Sequence, residues 1–217
     1  MAASEYQGHF INLDRSTERR ATMDAQLERL GIKDRYRRFR AADGNVLHVR
    51  NPALQPGEIG IFTSNALVLS EAAQANQHVH VIDDDVVFSP ITCDVLDCSI
   101  AAGILDEVDV LFTDVAVPID VHHLSRYKKL FDETIIRDQQ SQTFAIPKFP
   151  YLDLRNLVFA GTSSYLVSRR AVTRLATLFQ RELRSEPSMP IDLYLRKLIY
   201  DGELIATCIF PLRTTRQ

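Results

Sequence analysis

Short apolar runs alternate with amphipathic segments along the chain. Residues 10–13 predict a first strand, and Met23, Leu27 and Leu30 behind it recur at the spacing of a helix. Gly31 stands where a left-handed residue commonly ends such a helix. The chain is therefore expected to begin with a strand followed by a helix.

The same alternation continues towards the other end of the chain. Further strands are predicted at residues 36–41, 78–82, 108–112, 157–160, 165–167 and 204–210, and helices from 57 onwards, from 90 towards 102, and at 169–184 and 191–200. Residues 116–150 lack clear periodicity, so we expect an irregular lid or binding loop there. Strands that alternate with helices make α/β the fold class, and 217 residues suit one domain spanning residues 1–217.

Composition narrows the classes of function. Charged residues make up 24% and hydrophobic residues 46%, as in a soluble globular enzyme. Lys and Arg total 25 against 28 Asp and Glu, and this near balance argues against nucleic-acid binding as the main role. The first ten residues show no secretory pattern and no apolar run reaches the ~18 residues of a membrane span, so a cytoplasmic location is expected. Three cysteines without a CxxC pair predict neither a disulfide framework nor a zinc site.

Three aspartates end the predicted strand at 78–82. In an extended chain Asp83 and Asp85 point the same way, with Cα atoms roughly 6.6 Å apart, while Asp84 faces elsewhere. Adjacent carboxylates repel one another, and a divalent cation removes that cost. Oxygen donors suit Mg²⁺ or Mn²⁺, which takes one or two carboxylates and completes its shell with water and substrate phosphate. We therefore expect a metal on Asp83 and Asp85; the alternative is an acidic, solvated turn.

Two classes of enzyme place an acidic pair after an apolar strand. In a nucleotide-sugar glycosyltransferase the metal bridges the carboxylates and the donor diphosphate. In an aspartyl-phosphate phosphohydrolase Asp83 would be the nucleophile and Asp85 the acid and base. About eighty residues precede the triplet here, which favours the first class, because those residues can build a nucleotide-binding half.

Six segments follow one another along the chain. They are Ile11-Asn12-Leu13-Asp14-Arg15-Ser16, Arg38-Phe39-Arg40-Ala41-Ala42-Asp43-Gly44, Gly57-Glu58-Ile59-Gly60 with Ser64-Asn65, Asp83-Asp84-Asp85, Gly161-Thr162 through Ser168-Arg169, and Pro190-Ile191-Asp192. Together they resemble glycosyltransferase family 25, which includes lipooligosaccharide galactosyltransferases. The resemblance extends from about residue 9 to residue 211; Asn65 stands where the family has His, and Asp83 where it has Glu.

The resemblance implies a GT-A-like nucleotide-binding α/β/α sandwich with a mixed, mostly parallel sheet. It also implies that a hexose, with galactose as the leading candidate, is transferred from a UDP-sugar to a saccharide or glycolipid acceptor such as lipooligosaccharide. By the same resemblance the transfer is metal-dependent and inverting. The metal would be Mn²⁺ or Mg²⁺. By the same resemblance, donor-binding residues are expected at Asn12, Leu13, Arg15, Asp43, Glu58, Asp84, Gly161 and Thr162.

Inversion in a single displacement needs a base for the acceptor hydroxyl. Asp192 is our candidate, although its position suits a helix N-cap equally well. Glu58 likewise either caps its helix or orients a ligand. Because Asn65 replaces the family's His, a non-catalytic relative that binds sugar nucleotides or glycans stays open. The basic helix at 169–184 is either a solvated face or a contact with an anionic acceptor or the inner face of the membrane.

Overall fold

The computed structural model describes residues 6–47, 53–140, 151–210, 212 and 214–216, with no side chains described for 134–140 and 216. Its strands are β1 (Tyr6–Asn12), β2 (Tyr36–Arg40), β3 (His78–Asp83), β4 (Val86–Phe88), β5 (Val110–Phe112), β6 (Tyr151–Asp153), β7 (Ser164–Val167), β8 (Ala206–Ile209) and β9 (Thr214–Arg216). Its α-helices are α1 (Thr17–Arg29), α2 (Pro56–Ala72), α3 (Thr92–Ala101), α4 (Ile104–Glu107), α5 (Val121–Gln140), α6 (Arg169–Arg184) and α7 (Ile191–Tyr200).

Seven strands form one sheet in the order β2-β1-β3-β7-β5-β8-β6, and β4 pairs with β9 beside it. Strands β1, β2, β3, β5 and β8 run in one direction, whereas β7 and β6 run against them. The sheet is therefore mixed and mostly parallel by strand direction. Because β1, β2 and β3 are mutually parallel neighbours, their carboxyl ends meet at one edge, which is where ligands bind to open α/β sheets.

Two hydrophobic cores lie on opposite faces of the sheet. Neighbouring residues of one strand alternate between them: Val110 and Phe112 pack with α2, α6 and α7, whereas Leu111 packs with α1 and α3. Helices thus cover both faces, and the predicted fold class, an α/β/α sandwich around a mixed, mostly parallel sheet, is confirmed. That residues 1–217 make a single domain stays a prediction.

The predicted irregular segment at 116–150 is wrong over most of its length. Residues 121–140 form helix α5, and residues 141–150 lie outside the described part of the chain. Tyr127 is buried and donates its hydroxyl to the Val158 carbonyl at 3.1 Å, while Leu130 and Phe131 pack against the larger core. These apolar positions have helical spacing, but the charged residues between them obscure the pattern.

The strand predicted at 157–160 is also absent. Within this segment only Ala160 makes a β-bridge, to Ala116. Leu157 and Phe159 are buried and Val158 is exposed, so the alternation that predicted a strand is real, although no ladder forms. The short strands β4, β6 and β9 were not expected. By contrast, α6 and α7 have the predicted bounds, and Gly31 has the predicted left-handed backbone, with φ of 68°.

Buried polar residues inside the sheet have partners. His80 is fully buried between the Tyr36 hydroxyl at 2.7 Å and the Ser164 hydroxyl at 3.0 Å, and burial lowers the pKa of its imidazole to about 3. The described cysteines are all free; Cys93 and Cys208 are buried, whereas Cys98 is half-buried. Among the described residues no helix has the length and apolar character needed to cross a membrane.

Candidate functional site

A cavity of about 270 Å³ opens at the edge where β1, β2 and β3 end. Its wall is built from the turn after β1, the loop after β2, the first turns of α2 and the acidic end of β3. The lining residues are Ile11, Leu13, Arg15, Ser16, Arg19, Ala41, Ala42, Asp43, Gly44, Asn45, Gly57, Gly60, Ile61, Ser64, Asn65, Asp83, Asp84 and Asp85. Four separate segments of the sequence therefore form one concavity, whose charged residues are four aspartates and two arginines.

The acidic triplet differs in one respect from its predicted geometry. Strand β3 ends at Asp83, and Asp84 and Asp85 form a turn into β4 rather than continuing the strand. The expectation that Asp84 faces elsewhere is therefore wrong, because alternation of side chains requires an extended chain. All three residues line the cavity.

Asp84 is held by hydrogen bonds from two sides. Its carboxylate accepts from Asn12 Nδ2 at 2.6 Å and from Arg19 Nη1 at 3.2 Å, and only 10% of its side chain is exposed. Asn12 is itself buried and accepts from Arg38 Nε at 2.9 Å. Asn12, predicted as a donor ligand, thus lies behind the cavity wall and orients Asp84, and Arg38 orients Asn12.

Asp85 has a different environment. Its Oδ1 is buried without a hydrogen-bond partner among the described residues, and the nearest cation to Oδ2 is Arg19 at 3.6 Å. A buried carboxylate oxygen that lacks a partner is costly, and a cation at this position would remove the cost. No cluster of three or more His, Cys, Asp or Glu side chains suited to a metal occurs in the described ranges. Two carboxylates are nevertheless enough for Mg²⁺ or Mn²⁺ when substrate phosphate supplies further ligands, so Asp83 and Asp85 fit such a cation.

An ion pair between Arg15 and Asp43 joins two walls of the cavity. Two groups lower the pKa of the Asp43 carboxyl: the Asn45 backbone N–H, which has the larger effect, and the Arg15 guanidinium, which has a smaller one. Arg19 makes a similar link between α1 and the triplet, and its bond to Asp84 raises the pKa of its guanidinium. Arg15, which was predicted to contact the donor, and Arg19 therefore both line the site and are paired with its carboxylates.

Two of the sequence motifs pack directly on each other. A Cβ at Gly44 would lie 1.6 Å from the Pro56 carbonyl oxygen, and one at Gly60 would lie 2.7 Å from that of Ala42. Only glycine permits so close an approach of two backbones. Ser64 fastens the contact, since its hydroxyl accepts from the Ala42 N–H at 2.8 Å and donates to the Gly60 carbonyl at 2.6 Å. The loop after β2 and helix α2 thus form one rigid wall.

Asn65, which replaces the family's His, lies in the same wall. It is buried, donates to the Ile61 carbonyl at 2.9 Å and accepts from the Tyr165 hydroxyl at 2.5 Å. Burial, and secondarily the charge of Asp83, raises the pKa of Tyr165. The side chain of Asn65 therefore connects helix α2, which lines the cavity, to Tyr165 on β7.

The remaining predicted site residues lie beside the cavity rather than in its lining. Asp192 Oδ2 accepts from the Gly161 N–H at 3.0 Å, and its Oδ1 accepts from the Leu193 N–H at 2.9 Å. Thr162 is buried next to Ser163, whose carbonyl accepts from the Asp83 N–H at 2.8 Å. The loop at 161–163 thus connects Asp192 to the triplet.

Glu58 adopts the first of its two predicted roles. It accepts from the Gln55 N–H at 2.7 Å and completes a capping box at the start of α2. It does not line the cavity. Gly60, Ser64 and Arg38 were not predicted individually as site residues, although all three lie in segments that carry the family resemblance.

An α/β sheet with an acidic cavity at the carboxyl ends of adjacent parallel strands is the arrangement of a ligand-binding α/β protein. The family model described as Glycosyltransferase family 25 (LPS biosynthesis protein) matches residues 6–195, and the chain belongs to this family. It is therefore a glycosyltransferase by family.

One solved structure similar to the chain is that of the galactosyltransferase LgtC in complex with donor and acceptor sugar analogues. The two share 8% sequence identity and a TM-score of 0.40, over 93% of this chain and 72% of that chain. The likeness is distant. No curated protein matches the chain by sequence.

Proposed function

We propose that this glycosyltransferase transfers a hexose from a UDP-sugar to a saccharide acceptor such as lipooligosaccharide, and galactose is the leading candidate for the hexose. The transfer inverts the anomeric configuration and uses Mn²⁺ or Mg²⁺. One observation supports the proposal most directly. Four carboxylates and two arginines line a single cavity at the strand ends, and one carboxylate oxygen of Asp85 is buried without a partner among the described residues. This combination suits a diphosphate that arrives together with a cation.

The cavity residues divide the work on the donor. Asp83 and Asp85 would hold the cation, which when bound neutralises negative charge on the departing nucleoside diphosphate. Arg15 and Arg19 are exposed enough to turn their guanidinium groups towards phosphate oxygens, to which they are matched in geometry. Asn12 and Arg38 keep Asp84 in place while these partners change.

Asp192 is the proposed base for the acceptor hydroxyl. Its two oxygens accept one backbone N–H each, which leaves lone pairs on both for a further donor. These bonds fix the carboxylate at the start of α7, close to the loop that bonds Asp83. In the reaction the acceptor oxygen forms a bond to the anomeric carbon, the bond from that carbon to the diphosphate breaks, and the hydroxyl proton passes to Asp192.

The experiment has two stages. Calorimetry first measures UDP binding with Mn²⁺ and then with a chelator, and we expect binding that requires the metal. Turnover of UDP-galactose and UDP-glucose is then measured in the wild type and in Asp192→Asn, where we expect turnover to fall roughly 10²–10⁴-fold with unchanged UDP affinity. The anomeric configuration of the product, read by NMR, tests inversion. Metal-independent UDP binding, or an Asp192→Asn variant with full turnover, would contradict the proposal.

A non-catalytic sugar-nucleotide or glycan binder is the second candidate. Asn65 in place of the family's His and the pairing of Arg19 with the triplet favour it, because both leave fewer groups free for chemistry. Such a protein would bind UDP with metal but turn over no UDP-sugar, so the second stage separates the two candidates. The phosphohydrolase alternative on Asp83 and Asp85 is not favoured, since the chain belongs to a glycosyltransferase family.

We also propose that the protein works in the cytoplasm, near the inner face of the membrane. The basic helix α6 is only partly available for such a contact. Arg174 bonds the buried Asp109 at 2.5 Å and Arg170 lies 3.4 Å from the same carboxylate. Arg169, Arg181 and Arg184 remain as exposed residues on this helix.

A further inference from the structure

A second concavity, of about 610 Å³, lies between α5, α7 and the segment that follows β6. Four of the residues that line it are basic and none is acidic, although the whole chain has a net charge of −3. We call this concavity the basic groove. Its basic residues are Arg126, Arg155, Arg196 and Lys197.

Two of these cations are available for a ligand. Arg126 and Arg155 are exposed, and neither guanidinium has a hydrogen-bond or ion-pair partner in the part of the chain that the structure describes. Arg196 donates to the Phe159 carbonyl at 3.0 Å, and Lys197 pairs with Asp201 at 2.5 Å. Unpaired guanidinium groups beside a concave surface are typical of recognition of phosphate or carboxylate oxygens.

The floor of the groove is suited to a sugar ring. It contains apolar surface from Val158, Met189 and Leu193. Tyr200 also lines the groove and is 69% exposed, so an aromatic ring with an apolar face is accessible to a ligand. An apolar floor next to free cations matches a saccharide that carries an acidic group.

The groove also lies next to the proposed base. Leu193 follows Asp192 directly in the sequence, and Asp192 bonds the Gly161 N–H. From Val158 in the groove to Ser163, whose carbonyl accepts from the Asp83 N–H, the chain runs five residues, which span at most about 18 Å. An acceptor held in the groove is thus within a few sugar units of the donor cavity.

We propose that the basic groove binds a phosphorylated saccharide portion of the acceptor and places a neighbouring hydroxyl near Asp192. The proposal rests on the proposed transfer reaction for its purpose, but the binding itself does not require that reaction. Arg126 and Arg155 bind the phosphate, and Tyr200 packs on the sugar ring.

The test measures binding of glucose 6-phosphate, with glucose as the uncharged control, by calorimetry on the full chain. UDP and Mg²⁺ are present at saturation so that the donor cavity is filled. We expect glucose 6-phosphate to bind about tenfold or more tightly than glucose, and to lose this advantage in Arg126→Glu/Arg155→Glu. The milder Arg126→Gln/Arg155→Gln pair should lose most of it, and Arg29→Glu, an exposed arginine on α1, should keep it.

Each remaining outcome decides the matter. No preference for the phosphorylated sugar in the wild type, or an equal loss in Arg29→Glu, would overturn the proposal. In a further outcome, the wild type binds no glucose 6-phosphate but co-sediments with phosphatidylglycerol vesicles, and the double variant loses that co-sedimentation. This result would assign the groove to a membrane and would also overturn the proposal. UDP affinity, measured separately in every variant, reports correct folding. Binding of glucose 6-phosphate without any binding of UDP would refute the proposed function but not the proposal for the groove. Binding of UDP without any binding of glucose 6-phosphate would refute only the proposal for the groove.

Discussion

Asp84 and Asp85 are neighbours in one turn, yet alanine at the two positions should change stability in opposite directions when no metal is present. Asp84→Ala removes the acceptor for Asn12 Nδ2 and Arg19 Nη1. Asn12 is only 1% exposed, so one of its N–H groups is left buried and unpaired. The loss is expected to be about 1–3 kcal/mol in the free energy of unfolding.

Asp85→Ala removes a buried oxygen that has no partner to lose. Leaving such an oxygen unpaired costs about 1–3 kcal/mol, and its removal recovers part of that. The opposing term is the ion pair with Arg19, which is 60% exposed, and an exposed pair of this kind is worth about 0–1 kcal/mol. We therefore expect Asp85→Ala to raise the free energy of unfolding by about 1 kcal/mol.

The assay is urea unfolding at pH 7 in a chelator and then in excess Mn²⁺. Asp34→Ala, which removes an exposed carboxylate outside the site, is the matched control and should stay within about 0.5 kcal/mol of the wild type. Mn²⁺ should stabilise the wild type, because it binds the folded state only, and should not stabilise Asp85→Ala. The reasoning is refuted if Asp85→Ala is destabilising in the chelator, or if Mn²⁺ stabilises it as much as the wild type.

Three further predictions concern groups around the site. Arg38→Met should weaken UDP binding several-fold by releasing Asn12, which calorimetry measures; an unchanged affinity would remove Arg38 from the positioning role. His80 stays neutral in the folded protein, because its pKa is lowered to about 3, whereas the same residue in the unfolded chain takes up a proton near pH 6.5. Its contribution to the free energy of unfolding is therefore complete above pH 6.5 and is lost as the pH falls, by about 2 kcal/mol between pH 7 and pH 5. Urea unfolding at both pH values should show this drop, and His80→Gln should lack it. Gly44→Ala should destabilise the protein by about 3 kcal/mol, because the added Cβ would clash with the Pro56 carbonyl. Gly57→Ala is the control, since its Cβ would meet nothing within 4 Å. Equal melting temperatures for the two variants would contradict the close contact at Gly44.

Sequence patterns were sufficient for features that depend on neighbouring residues. The bounds of α6 and α7, and the left-handed Gly31 that follows α1, agree with helical spacing and local backbone preference. The position of the triplet at a strand end also follows from the apolar run before it. Helix α5 was not predicted because charged residues are as numerous as apolar ones along it, and burial of its apolar side against the larger core is a tertiary effect.

The pairings within the site depend on contacts that no local pattern contains. Asn12 and Asp84 are 72 residues apart, and Asn65 and Tyr165 are 100 apart. The motifs 38–44 and 57–65 were visible in the sequence, but their direct backbone contact through Gly44 and Gly60 was not. The sequence therefore indicated which segments build the cavity, while the roles of Asn12 and Glu58 needed the fold, since one lies behind the wall and the other caps a helix.

Under the proposed function, the charges of the cavity predict that donor and metal bind cooperatively. UDP alone would bring negative charge towards the four carboxylates of the cavity, and a cation alone would compete with Arg19 for the triplet. When both arrive, the triplet pairs with the cation while Arg19 becomes free to pair with phosphates, so each ligand removes the cost that the other faces. We expect Mn²⁺ to strengthen UDP binding by about tenfold or more and UDP to strengthen Mn²⁺ binding by the same factor, because coupling between two sites is reciprocal. Calorimetric titrations in both orders measure the two factors, and Arg19→Met should reduce them together by making the triplet accessible to the cation alone. Independent binding of the two ligands would show that the arginine pairs are permanent and that the cavity does not exchange partners.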